Sequence, residues 1–175
     1  MSQMSTLEST TTSASAGTWG ADPVHSHVSF EVAYAGTNVF RGGFHDYTAA
    51  LNDGVLEGSA KVASVDVKDE QLNGHLQTPD FFDAERFPEI SFRTGDLEHG
   101  ELTIKGVTRP VVISATVSEP NVDPFGRERV GIALEAKVDR NEFGVSWNAP
   151  NQGGGNYLGD DVTIKADLAL VRQEG

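Results

Sequence analysis

Two short stretches carry the side chains that chemistry would need. His25-Ser26-His27 with Asp22 offers two imidazoles and a carboxylate, donor types that hold zinc or another transition ion. Strand alternation weighs against that use. His25 and His27 share the parity opposite to Phe30, which is the solvent side, and no distant further ligand is identifiable. Asp80 and Asp83 lie three apart and invite an acid and base pair, but helix-end electrostatics is the simpler account. Ser26 and Ser29 lack the Gly-x-Ser-x-Gly elbow, and no phosphate-loop or dinucleotide glycine pattern occurs. Cysteine is absent, which removes disulfides, thiolate zinc sites, iron-sulfur ligation and cysteine nucleophiles together. No catalytic residue, metal site or other cofactor is expected.

The elements around these residues read as strands. Val28, Phe30, Val32 and Tyr34 share one parity while His27, Ser29 and Glu31 take the other, the period of a half-buried strand. After a stretch from Phe40 to Leu51, Asp53-Gly54 signals a tight hairpin, and Leu56, Gly58, Ala60 and Val62 resume the alternation. The parity then shifts to Val65 and Val67, which a bulge near Ala63 or Ser64 explains. Ile90 and Phe92, a turn at His99-Gly100, and Leu102 and Ile104 make a second hairpin, and Val111, Ile113, Ala115 and Val117 the next strand. Val130 to Val138 and Val162 to Leu170 close the series, with polar partners such as Glu135, Lys137 and Lys165 on the other parity. One-sided alternation belongs to antiparallel sheets. The fold expected is all-β: an antiparallel barrel of about eight strands, wide enough to fill with side chains or to hold one small ligand.

One stretch breaks the rhythm. A short helical segment is expected near residues 69–86, with Thr78 as N-cap, Pro79 at the first helical position, and Asp80 and Asp83 at the positive helix end. It delivers Phe81 and Phe82, with Phe87 just beyond, to one place, where they cap a barrel mouth or line its cavity. Asn151-Gln152-Gly153-Gly154-Gly155-Asn156 reads as a flexible hairpin connection. Arg41, Arg140 and Trp147 are candidates to meet a polar headgroup at a mouth.

Composition narrows the partners. The 175 residues suit one domain with a real core, and the net charge of −13 lies almost wholly beyond the first 17 residues, where Glu8 is the sole charged side chain. So acidic a surface repels phosphodiester backbones and anionic lipid headgroups, so neither nucleic acid nor stable membrane anchoring is expected. Residues 1–17 are Ser/Thr-rich and read as a disordered tail, too polar for the apolar region of a secretory signal, which makes cytoplasmic residence the expectation.

Several ordered motifs together resemble the YceI-like, polyisoprenoid-binding family. They are Asp22-Pro23-Val24-His25-Ser26 with Val28-Ser29-Phe30, then Gly43-Phe44, then Leu76-Gln77-Thr78-Pro79-Asp80-Phe81-Phe82-Asp83 and Phe87-Pro88-Glu89-Ile90-Ser91-Phe92. Gly100-Glu101-Leu102-Thr103-Ile104-Lys105-Gly106-Val107-Thr108 with Pro110, and Asp139-Arg140-Asn141-Glu142-Phe143-Gly144-Val145, complete the set, so the likeness spans roughly Thr18 to Val171. Tyr34 stands where members often have a histidine at the end of the first long strand, and the periplasmic signal of many members is missing.

The resemblance implies an extended lipocalin-like barrel over residues 18–175. It also implies a non-enzymatic binder, storing or carrying a long-chain amphiphile such as a polyisoprenoid, an isoprenoid quinone or a fatty amide, with homodimers known in the family. The apolar lining expected is Val28, Phe30, Val32, Phe44, Phe81, Phe82, Phe87, Ile90, Phe92, Leu102, Ile104, Ile113, Ile132, Leu134, Phe143, Ile164 and Leu168. Two other readings stay open at this point: a packed barrel serving as a protein-interaction module, and an enzyme using the same cavity.

Overall fold

The computed structural model describes residues 17–150 and 152–173. The disordered-tail expectation therefore falls, apart from Gly17, outside the described residues, as does Asn151 of the glycine-rich loop.

Among the described residues thirteen strands form one antiparallel sheet. They are β1 (Thr18–Ala21), β2 (His27–Tyr34), β3 (Asn38–Phe44), β4 (Tyr47–Asn52), β5 (Val55–Lys61), β6 (Val65–Asp66) and β7 (Glu89–Thr94), followed by β8 (His99–Ile104), β9 (Val107–Val112), β10 (Ser114–Val117), β11 (Asn121–Val122), β12 (Glu128–Asp139) and β13 (Leu158–Gln173). Four of the long strands are interrupted: β1 leads into β2, β3 into β4, β5 into β6 and β9 into β10. With β7, β8, β12 and β13 they make the eight runs that the alternation predicts.

The spine is β13. One edge pairs with β12 from Asp161 to Val171, and the other pairs with β2 in its first half and β1 in its second. From β1 the sheet continues through β4, β5, β7 and β8 to β9. Chain continuity through Ile113 then brings β10 onto β12. Among the described residues no ladder joins β9 to β12, so the barrel is not closed by hydrogen bonds all the way round. Arg109, opposite Leu102 in the register, spans that gap and donates to the Glu142 carbonyl at 3.3 Å.

Register places the predicted parities on one face: Val28, Phe30 and Val32 stand opposite Ala166, Ile164 and Val162, and Ile132, Leu134 and Ala136 opposite Leu168, Ala166 and Ile164. The Asp53-Gly54 hairpin is present, both residues at positive φ (49° and 90°), the geometry whose twist matches the flanking strands. Lys105-Gly106 turns β8 into β9 in the same way, a hairpin hidden in sequence because Lys105 continues the polar parity.

Three local expectations are corrected. The turn placed at His99-Gly100 lies at Gly95–Glu98, where Asp96 accepts the Glu98 and His99 N–H groups, and both named residues belong to β8. In place of a bulge, a 3-10 turn at Val62–Ser64 shifts the parity after β5, held by the buried Ser64 hydroxyl, which donates to the Lys61 carbonyl and accepts the Asp46 N–H. The helix, α1, is Glu70–Leu76, with Asp69 and not Thr78 as its N-cap through the Gln71 N–H. Thr78 to Phe87 follow as hydrogen-bonded turns, in which Phe81 and Asp83 N–H groups return to the Thr78 carbonyl. Asp80 and Asp83 thus sit beyond the C-terminus of α1, Asp80 3.0 Å from His75 and Asp83 3.5 Å from Arg86.

Candidate functional site

Side chains along β13 mark successive levels of the interior. At the Leu170 end the barrel is filled: Trp19, Leu56, Val130, Ile132 and Leu170 are each at most 2% exposed. Close packing there leaves no space for a ligand.

Beyond Leu168 the interior opens. A first cavity, about 760 Å³ of non-atom space including its opening, is walled by Val28, Ala49, Leu56, Ala60, Ile90, Phe92, Leu102, Val111, Ile113, Leu134, Ile164, Ala166 and Leu168. A second, of about 1320 Å³ measured the same way, lies toward the other end of β13 under α1 and the turns that follow it. Its wall includes Phe30, Val32, Phe40, Leu72, Leu76, Phe81, Phe82, Ile104, Val138, Phe143, Val145 and Val162. Ile90, Leu102 and Ile164 belong to both walls and stand between the two cavities. The two neighbour one another along the barrel, and both are almost wholly apolar.

The expected lining therefore divides. Phe44, Phe87 and Ile132 are on neither wall; the other residues of that set are. Phe44 packs behind the wall, its ring 5.8 Å from Phe30 and 6.2 Å from Phe82. Phe87 covers the Gly106 turn, with the Arg86 guanidinium 5.1 Å from its ring, and Ile132 lies in the filled end. Leu72 and Leu76 were missed although they stand four apart, because the expected cap, Thr78, lies about two and a half turns beyond the true one, Asp69; the wider wall was legible, since Val138 and Val162 follow the inward parity.

Phe81, on the wall of the larger cavity, belongs to an aromatic cluster. The His75 ring meets Phe81 and Trp147 edge-on, each at 4.9 Å, and Phe81 lies 5.4 Å from Trp147. The polar residues on the larger cavity's wall are Tyr34, Tyr157 and Arg140, while Tyr47, Thr48, Ser59, Ser91 and Glu135 border the smaller one. Tyr34 and Tyr157 pack edge to face at 5.9 Å. Arg140, 6% exposed, begins the 3-10 turn Arg140–Phe143; its Nε donates to the Gly159 carbonyl at 2.8 Å, and Nη1 to the carbonyls of Val145 and Trp147 at 2.7 and 2.9 Å. Burial pulls its pKa down, and Asp160 and Asp139 act against this from a distance.

The other candidates for chemistry lie outside this space. Asp22 accepts from His25 at 2.8 Å, from the Val24 N–H and from Arg129, and the His25 contact foremost brings its pKa to about 2. His27 opens β2 on the exposed side. Arg41 pairs with Glu31 at 3.3 Å on the outer face and lines neither cavity. Asp96, Glu98 and His99 cluster on the exposed turn before β8.

Known proteins share this architecture. A UPF0312 protein of Staphylococcus aureus (strain USA300) is 28% identical over 165 residues, which cover 87% of this chain and 96% of that protein. Among solved structures, Burkholderia cenocepacia BcnA superposes with a TM-score of 0.68 at 21% identity, covering 85% of this chain and 98% of its own. A Campylobacter jejuni YceI protein reaches 0.61 at 27% identity, over 76% and 85% of the two chains. A polyisoprenoid binding domain from Saccharophagus degradans, implicated in plant cell wall breakdown, reaches 0.73 at 10% identity over 89% and 98%, a likeness of fold alone. Residues 19–170 match the YceI-like domain, and this chain belongs to the YceI-like family.

Proposed function

We propose that the barrel interior binds one long-chain apolar amphiphile, a polyisoprenoid, an isoprenoid quinone or a fatty amide, and that the protein stores or carries it in the cytoplasm without altering it. The carrying observation is the pair of neighbouring apolar cavities whose walls share Ile90, Leu102 and Ile164. A space so shaped suits a chain much longer than wide. Each methylene moved into it from water contributes about 0.8 kcal/mol, so affinity needs few polar contacts. The Saccharophagus degradans domain, described as polyisoprenoid binding, supports the same reading for a shared fold.

The test is native mass spectrometry of protein purified from its own host, with solvent extraction and mass analysis of whatever is released. A stoichiometric long-chain amphiphile is expected. A clean apo mass together with no uptake of added long-chain lipids would overturn the reading in favour of a packed interaction barrel.

A further inference from the structure

Among the described residues Arg140 is the one cation on the wall of the larger cavity, and its guanidinium is incompletely used. Nε and Nη1 donate to three backbone carbonyls, whereas Nη2 is buried with no acceptor. A buried donor left unpaired costs free energy comparable to a lost hydrogen bond, and a buried charge costs more unless an opposite charge meets it. Among the described residues no carboxylate is in hydrogen-bonding contact with Arg140, and Asp160 and Asp139 act on it only from a distance. The three carbonyls fix the group at the polar end of the cavity, since Gly159 follows Leu158, whose register partner is Tyr34. Tyr34 and Tyr157 add two phenols to the same wall.

We infer that this end of the cavity is a headgroup site: Arg140 Nη2 donates to an anionic oxygen, a carboxylate or a phosphate, at the end of a long apolar chain whose tail runs past Ile164 toward Leu168. This rests on the binding function proposed above and narrows it to chains that end in an anion, giving also the direction of the ligand. Alcohol-, ester- and amide-ended chains fill the same apolar space but do not neutralise the guanidinium. A charge-assisted hydrogen bond in a dry site is about twice as strong as a neutral one, which sets the anionic ligand apart.

The experiment compares matched ligands on the unaltered chain by displacement of a long-chain fluorescent probe at pH 7.4: oleate against oleyl alcohol, and farnesyl phosphate against farnesol. The anionic member of at least one pair is expected to bind about tenfold tighter or better, the worth of a hydrogen bond to a charged group. The pair showing it separates a carboxylate from a phosphate. Arg140→Gln, with folding checked by circular dichroism, is expected to bring the two members of that pair within about twofold of each other while the neutral ligand still binds, and Arg140→Lys, which keeps the charge but not the planar fork, is expected to retain part of the preference. Equal affinities within both pairs, or a preference that survives Arg140→Gln, would overturn the headgroup site and leave apolar binding intact. Binding of none of the four would overturn both.

Discussion

Adjacent glycines of β3 separate a cavity wall that can yield from a ladder that cannot. A Cβ added at Gly42 would stand 2.6 Å from Cζ of Phe30, the far end of a side chain that faces the larger cavity. A Cβ at Gly43 would stand 2.9 Å from the Val28 carbonyl, backbone held by the β2–β3 ladder. Gly42→Ala is relieved by pushing the Phe30 ring into open space, and the smaller conformational freedom of the unfolded chain returns roughly 0.4–1 kcal/mol, so stability stays within about 1 kcal/mol of the starting protein. The displaced ring takes the place of about two ligand methylenes, which weakens binding by roughly 1.6 kcal/mol, about fifteenfold. Gly43→Ala overpacks a rigid ladder at about 1–3 kcal/mol, a Tm lower by roughly 3–10 °C for a chain of this size, and leaves the wall untouched. Thermal melts and displacement of a long-chain fluorescent probe read both quantities. If Gly42→Ala melts as low as Gly43→Ala and binds the probe normally, Phe30 does not face usable space and the cavity account is wrong.

Other consequences are equally open to measurement. Phe30→Asp or Phe92→Glu is expected to abolish ligand occupancy in native mass spectra, whereas Lys137→Ala and Lys165→Ala, on the outer parity, retain it; equal losses at both sets contradict the assignment of faces. Trp19→Ala empties the filled end and is expected to cost about 3–5 kcal/mol in denaturant melts, with ligand headgroup preference unchanged. Solvent-extracted protein is expected to melt roughly 5–11 °C below the same protein given ligand at about a hundred times its Kd, since ligand binding only to the folded chain adds about 2.7 kcal/mol. Asp22 and Asp96 are held at about 2, the first chiefly by His25 and the second by the His99 and Glu98 N–H groups, while the Arg129 hydrogen bond lowers Asp123. Folded values below the usual 3.8 mean that these carboxylates stabilise the fold above about pH 4 and lose that contribution as pH falls toward 2. Melts between pH 6 and 2 should fall along that limb, and Asp123→Asn should lower Tm at pH 6 and flatten it.

The faces of the sheet were legible because side-chain direction in a strand has a period of two, a property of the backbone that any alternating run declares by itself. Phe30, Ile164 and Leu134 could be placed inward without knowing which strand lies beside which. Turns were legible where one residue pair forces the geometry, as at Asp53-Gly54, and were misplaced where side chains compete for backbone groups. Asp69 outranks Thr78 as a cap, and Asp96 gathers the N–H groups that set the turn before β8. The residues of α1 lie within the stretch named, but its cap at Asp69 and its inward pair Leu72 and Leu76 were not singled out.

Sequence by itself determined an antiparallel, one-sided β chain with no sulfur chemistry, a strongly acidic surface and the motifs of its family. Whether the inward face is filled or hollow was decided only by tertiary structure. The parity of Ile132 and Phe30 is the same, yet one is locked among Trp19's neighbours and the other borders the larger cavity. That difference depends on volumes summed across strands far apart in the chain, which no local pattern records. Arg140 makes the point most sharply: its residue type announces a charge, but the unused nitrogen appears only once the carbonyls of Val145, Trp147 and Gly159 have been brought around the other two.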